Sequence, residues 1–93
     1  MIKSFGNEET RLIYRLQRSR KLPSSIQQLA LRKLRMINNA TSLNDLCAPP
    51  ANRLEKLTGD RAGQYSVRIN DQWRVCFRWE DSDAYEVEIT DYH

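Results

Sequence analysis

Apolar and polar residues alternate in three short runs in the last third of the chain, and each run predicts a strand with one buried face. The inward sets are Tyr65, Val67 and Ile69; Trp73, Val75, Phe77 and Trp79; and Tyr85, Val87 and Ile89. The outward sets are Gln64, Ser66 and Arg68; Arg74, Cys76 and Arg78; and Glu86, Glu88, Thr90 and, by the same parity, Tyr92. Side chains directly opposite in an antiparallel pair share a face, so paired residue numbers must sum to an even value if the apolar sets are to meet on one side. With turns at Asn70-Asp71-Gln72, or through a bulge there, and at Asp81-Ser82-Asp83, this sets Arg68 beside Arg74, Arg78 against Glu86, Cys76 near Glu88, and Arg74 near Thr90 and Tyr92. Two opposed guanidinium groups repel unless an anion or acid lies between them, so the Arg68/Arg74 pair reads either as two solvated side chains or as a phosphate site.

The first half follows a different period. Ile2 to Phe5 alternates and suits a short opening strand, which Gly6-Asn7 breaks. Asn7 can cap a helix whose first turn holds Glu8 and Glu9, where the helix dipole favours acids. Leu12, Ile13 and Leu16 form its expected inner stripe, and Arg11, Arg15 and Arg18 an outer basic ridge continued by Arg20 and Lys21. Leu22-Pro23-Ser24-Ser25 stops this helix and offers serines as caps for a second. In the second helix Ile26, Leu29, Ala30, Leu34 and Ile37 face inward, with Gln27, Gln28, Arg32, Lys33 and Arg35 outside, ending near Asn38-Asn39. The two apolar stripes need a surface, and the apolar face of the sheet supplies it. The expected class is therefore α+β, with two N-terminal helices packed on an antiparallel β-sheet. Tyr65, Trp73, Phe77, Trp79 and Tyr85 are read as core rather than as a base-stacking platform. From residue 40 to 52 the pattern weakens into a loop pinned by Leu43 and Leu46. Arg53 to Leu57 alternates well enough for a strand entering Thr58-Gly59-Asp60-Arg61-Ala62-Gly63, a basic turn without the spacing of a P-loop.

Ninety-three residues suit one domain spanning 1–93. No apolar run approaches the roughly twenty residues of a membrane helix, and Met1-Ile2-Lys3-Ser4-Phe5-Gly6 does not begin a secretory signal, so a cytoplasmic protein without membrane contact is expected. Cys47 and Cys76 lack paired spacing, which predicts reduced thiols, no metal site and no cofactor. The net charge of +3 conceals an asymmetry: eleven Lys/Arg against four Asp/Glu up to Thr58, then four against eight. A basic first half points to a polyanionic partner, most simply nucleic acid.

Leu54…Leu57-Thr58-Gly59-Asp60-Arg61…Gly63…Tyr65-Ser66-Val67…Ile69-Asn70…Trp73-Arg74-Val75…Phe77…Trp79, followed by Asp83-Ala84-Tyr85…Asp91-Tyr92-His93, resembles the HigB toxins of the RelE/ParE group in bacterial toxin–antitoxin systems. The likeness spans nearly the whole chain. It implies a RelE-like fold and a ribosome-dependent endoribonuclease that cuts messenger RNA, is neutralised by a HigA-type helix-turn-helix antitoxin, and meets operator DNA through that antitoxin. It further implies that Arg74, Asp91, Tyr92 and His93 belong to the catalytic face. Strand alternation puts Arg74 and Tyr92 on the open side of the expected sheet. Two positions depart from the family. Many members have a lysine where this chain has Thr58, and some have a histidine where it has Glu55; Lys56 or Arg61 are the nearby cations that would replace the lost charge. These departures keep a second class open, a ParE-like toxin acting on a protein target, or an inactive relative that only binds antitoxin and operator DNA.

Metal-free RNA cleavage needs a base for the 2′-hydroxyl, a cation for the phosphorane-like transition state and an acid for the departing 5′-oxygen. Arg74 suits the second task through its fixed fork of donors, and Arg68 can add to it. His93, with an ordinary pKa near neutrality, suits base or acid, with Asp91 orienting it; Tyr92 suits stacking or positioning. Arg11, Arg15, Arg18, Lys56, Arg61 and Arg68 are the expected contacts to RNA and ribosome, with a second basic ridge of Arg32, Lys33 and Arg35 also expected to contact ribosomal RNA.

Overall fold

Asn7 caps the first helix as its sequence demands, its Oδ1 accepting from the Thr10 N–H at 2.9 Å and the Thr10 hydroxyl at 2.6 Å. In the computed structural model, which describes residues 1–91, this helix (α1) covers only Glu8–Tyr14. It does not run on to Lys21. Leu16 takes a left-handed φ of +63° and the Gln17 N–H returns to the Leu12 carbonyl, closing the helix two residues after Tyr14. Leu16, expected inside, is 71% exposed. Arg18 therefore lies beyond the helix, and the ridge expected of Arg11, Arg15 and Arg18 is broken.

Helix α2 (Ser24–Asn39) buries Ile26, Ala30, Leu34 and Ile37 as its spacing requires. No serine side chain caps it; the capping position is Pro23. Lys33, expected outside, is also buried. The stretch expected to be a loop contains a five-residue helix, α3 (Leu43–Cys47), closed at its start by the capping box of Ser42 and Asp45 and anchored by buried Leu46. Accepting from Thr41 and Ser42 holds the Asp45 carboxyl below its usual range. A 3-10 turn at Pro50–Asn52 follows.

The sheet runs β1 (Glu55–Lys56), β2 (Gln64–Arg68), β3 (Trp73–Glu80) and β4 (Asp83–Asp91), all antiparallel and in chain order. The first hairpin has the expected even register, with Arg68 opposite Arg74 and Val67 opposite Val75. The second differs near its turn. Asp81 and Ser82, both at positive φ, make a two-residue turn that pairs Glu80 with Asp83 and Trp79 with Ala84. That slip puts fully buried Ala84 in the core and Tyr85 opposite Arg78, so Tyr85 is not the core residue its parity suggested. A bulge with Glu86 at φ +52° absorbs one residue and restores the even register at Cys76/Glu88, Val75/Ile89 and Arg74/Thr90.

The opening segment lies parallel beside β4, making single bridges at Ile2/Ala84 and Phe5/Val87 rather than a continuous strand. Its interruption matches the bulge: the Ser4 hydroxyl accepts the Glu86 N–H at 2.9 Å. Thr10 then accepts the Ile89 N–H at 2.8 Å, so the outer edge of β4 is covered by the chain's own N-terminal region. The helices and the apolar sheet face close on one core containing Leu34, Ile37, Leu46, Val67, Val75, Phe77 and Val87, with Tyr65, Trp73 and Trp79 packed against it. No described helix is long and apolar enough to cross a membrane.

Candidate active site

The opposite face of the sheet carries Glu55, Ser66, Arg68, Arg74, Cys76, Glu88 and Thr90, as pairing and alternation require. Arg74 does not lean into solvent there. It is only 6% exposed, and the Arg53 carbonyl and the Glu55 carboxylate both approach its guanidinium. Its Nε donates to Ser66 Oγ at 2.7 Å, and its Nη2 donates to the carbonyl of Arg53 at 2.6 Å. Its Nη1 faces Glu55 Oε1 at 3.8 Å. The guanidinium is thus fixed in one plane, with a half-exposed carboxylate beside its outer nitrogen.

The charge conflict between Arg68 and Arg74 is resolved by separate acids. Arg68 pairs with the fully exposed Asp71 in the β2–β3 turn, whereas Arg74 faces Glu55. The sequence signals a conflict but not its solution, since Glu55 reaches the site only through the β1–β2 pairing of Glu55 with Ser66.

Arg61 also lies on this face, bridging to Glu88 at 2.7 Å and donating to Gln64 Oε1 at 3.0 Å. It straps the turn before β2 to β4, beside Cys76, whose thiol burial pushes above its usual range. Lys56 pairs with Tyr65 and by strand alternation leaves on the other side from Glu55. The strand edge nonetheless brings Glu55, Lys56, Thr58, Asp60 and Arg61 around one depression of about 280 Å³. The Thr58 position therefore borders the same opening as both nearby cations.

Asp91 ends β4 opposite Trp73, one residue beyond the Thr90 that faces Arg74, and its carboxylate accepts from Gln72 Nε2 at 3.0 Å. Tyr92 and His93 lie outside the described residues. Arg11 is paired with Glu8, and Arg15 caps the end of α1. Neither adjoins the depression at Glu55; both border a separate hollow near Phe5 and Tyr14. Among the described residues no group of three His, Cys, Asp or Glu side chains converges as metal ligands would.

A family model described as "RelE-like toxin of type II toxin-antitoxin system HigB" matches residues 3–93. The chain belongs to the HigB-like toxin family. Among its relatives, Toxin HigB-1 of Vibrio cholerae is 43% identical over 68 residues, covering 73% of this chain and 72% of that one. Endoribonuclease HigB of Proteus vulgaris is 30% identical over 93 residues, the whole of both chains. The fold matches a chain of the YoeB–YefM complex from Staphylococcus aureus with a TM-score of 0.62 at 18% identity, covering 100% of this chain and 98% of that one. The HigB likeness and the α+β, RelE-like architecture expected from the sequence are thus both found, and the family places this toxin with an antitoxin partner in a type II system.

Proposed function

We propose that this HigB-like toxin is an endoribonuclease that cuts messenger RNA on the ribosome and is held inactive by a HigA-type helix-turn-helix antitoxin, through which it meets operator DNA. The observation that carries the reading is the clamped guanidinium of Arg74 with Glu55 beside it, at the position where RNA cleavage needs a cation and an adjacent proton acceptor. The support from relatives is the endoribonuclease name borne by the Proteus vulgaris protein.

In this mechanism the 2′-hydroxyl attacks the neighbouring phosphorus, forming a 2′,3′-cyclic phosphate as the bond to the 5′-oxygen breaks. Arg74 offsets the charge that grows on the non-bridging oxygens, at no reorganisation cost because Ser66 and the Arg53 carbonyl already hold it. Glu55 takes the 2′-hydroxyl proton; it occupies the position where some relatives have a histidine, so the site exchanges one proton acceptor for another. His93 protonates the departing 5′-oxygen, Asp91 orients it, and Tyr92 stacks on a base. Lys56 and Arg61 supply the cationic rim that Thr58 does not. Arg68, released from exposed Asp71, adds a contact to the RNA backbone, and Arg11, Arg15 and Arg18 contact ribosomal RNA separately. The ribosome contributes the in-line arrangement of the substrate, which a shallow site on a small sheet does not impose by itself.

The test is expression of the chain alone, followed by mapping of message ends. Growth arrest with cuts in translated messages is expected, and Glu55→Gln and Arg74→Lys should each reduce cutting at least tenfold. Growth arrest with intact messages and a DNA-damage response would replace this reading with a toxin acting on a protein target.

A further inference from the structure

Lys33 is buried to 7% exposure in the middle of α2. Among the described residues no carboxylate lies within ion-pair distance of it. Burial, and then the positive charges of Arg32 and Arg68, hold its pKa below the ordinary 10.5. A methionine would fill similar volume without desolvating a charge, so packing alone does not account for a lysine here. Its buried hydrogen bond to Asn52 does. Lys33 Nζ donates to Asn52 Oδ1 at 2.6 Å, and Asn52, itself fully buried, donates through Nδ2 to the Leu46 carbonyl at 3.2 Å.

Asn52 closes the 3-10 turn Pro50–Asn52, and the next residue, Arg53, sits in the left-handed region at φ +42°. A non-glycine residue holds that conformation only where its surroundings enforce it. The Arg53 carbonyl, aimed by this corner, is the one that accepts from Arg74 Nη2 at 2.6 Å.

We propose that Lys33 is a positioning residue for Arg74. By holding Asn52 from the helix side, it fixes the Arg53 corner, so the carbonyl that orients the catalytic guanidinium cannot drift. This rests on the proposed role of Arg74, but its geometric half is measurable without RNA.

The experiment pairs a kinetic and a spectroscopic readout in Lys33→Met and Asn52→Ala, which break the same bond from opposite sides. On programmed ribosomes, kcat should fall by roughly tenfold to a hundredfold with KM within about twofold, the scale of a small misplacement of a catalytic group. In ¹⁵N–¹H spectra of the full chain, the Arg74 Nε–H signal, held by Ser66 in the native protein, should shift or broaden in both variants. Lys33→Gln, which keeps a terminal donor, should recover much of the kcat and move the signal back towards its native position. If the Arg74 signal stays in place in whichever of these variants folds, the proposal is overturned, whether or not kcat falls. If the native chain itself cuts no RNA, the cleavage reading fails while the spectra still decide the positioning claim.

Discussion

Arg74→Met removes the guanidinium but keeps most of the side chain's volume, so its effect on stability measures how firmly the site holds that group. Three hydrogen bonds of the guanidinium disappear: short ones to Ser66 Oγ at 2.7 Å and to the Arg53 carbonyl at 2.6 Å, and a longer one to the Ser66 carbonyl at 3.3 Å. At about 1.5 kcal/mol for each short bond, those two amount to about 3 kcal/mol. Removing a buried cation returns part of this, and the 3.8 Å approach to half-exposed Glu55 adds little, which leaves a net loss of about 2 kcal/mol. For a chain of this size that corresponds to a fall in Tm of about 10 °C, read by calorimetry or circular dichroism. Arg74→Lys keeps a charge but cannot serve both acceptors, so it should fall between the native protein and Arg74→Met. An unchanged Tm in a folded, inactive Arg74→Met would refute the reasoning, because it would mean that the guanidinium contributes charge without being held.

Gly6→Ala should destabilise by about 1–3 kcal/mol in chemical denaturation, because the added Cβ would stand 3.0 Å from the Glu86 carbonyl and 2.8 Å from the Glu88 carboxylate that Arg61 holds. Leu16→Gly should raise stability by about 0.5–1 kcal/mol, since Leu16 is exposed and strained at φ +63° where glycine is unstrained; a loss would show that Leu16 makes contacts its exposure conceals. Lys33 has a pKa below the ordinary 10.5, so between its folded value and 10.5 the unfolded chain binds a proton that the folded chain has released. The penalty from this lysine is therefore fully present at lower pH and is relieved as pH rises through that window, so denaturation of the native protein relative to Lys33→Met should show native stability gaining with pH; a flat difference would contradict it. Asp45 is held below its usual range by Thr41 and Ser42, so its contribution to the α3 cap should be lost as pH falls through the acid range, visible as an acid destabilisation that Asp45→Asn lacks.

Much of the fold was legible because simple periodicities governed it. Val67, Val75, Phe77, Val87 and Ile89 alternate strictly and all are buried, and Ile26, Ala30, Leu34 and Ile37 repeat at helical spacing with the same result. The misreadings fell where backbone geometry overrode the pattern. A left-handed Leu16 cut α1 short, and a two-residue turn at Asp81-Ser82 exchanged Ala84 for Tyr85 until Glu86 bulged out. Neither leucine nor glutamate advertises a positive φ. In the site, parity placed Arg74 and Arg68 side by side correctly, yet the burial of Arg74 depends on how the segment around Arg53 folds back. That is tertiary information with no local signature. Glu55 read as a missing histidine and stands as the carboxylate facing Arg74. Lys33 read as one of several outer basic residues, because helical spacing gives the angle of a side chain but not what later segments place over it.

The most direct measurement of the central claim is cleavage of a defined message by the purified toxin with and without programmed ribosomes, with the chemistry of the new ends determined. Cutting is expected only when the message is being translated, with a 2′,3′-cyclic phosphate on one fragment and a 5′-hydroxyl on the other, and with loss of both in Arg74→Lys. Messages left intact on programmed ribosomes, or cut equally well by Arg74→Lys, would contradict it.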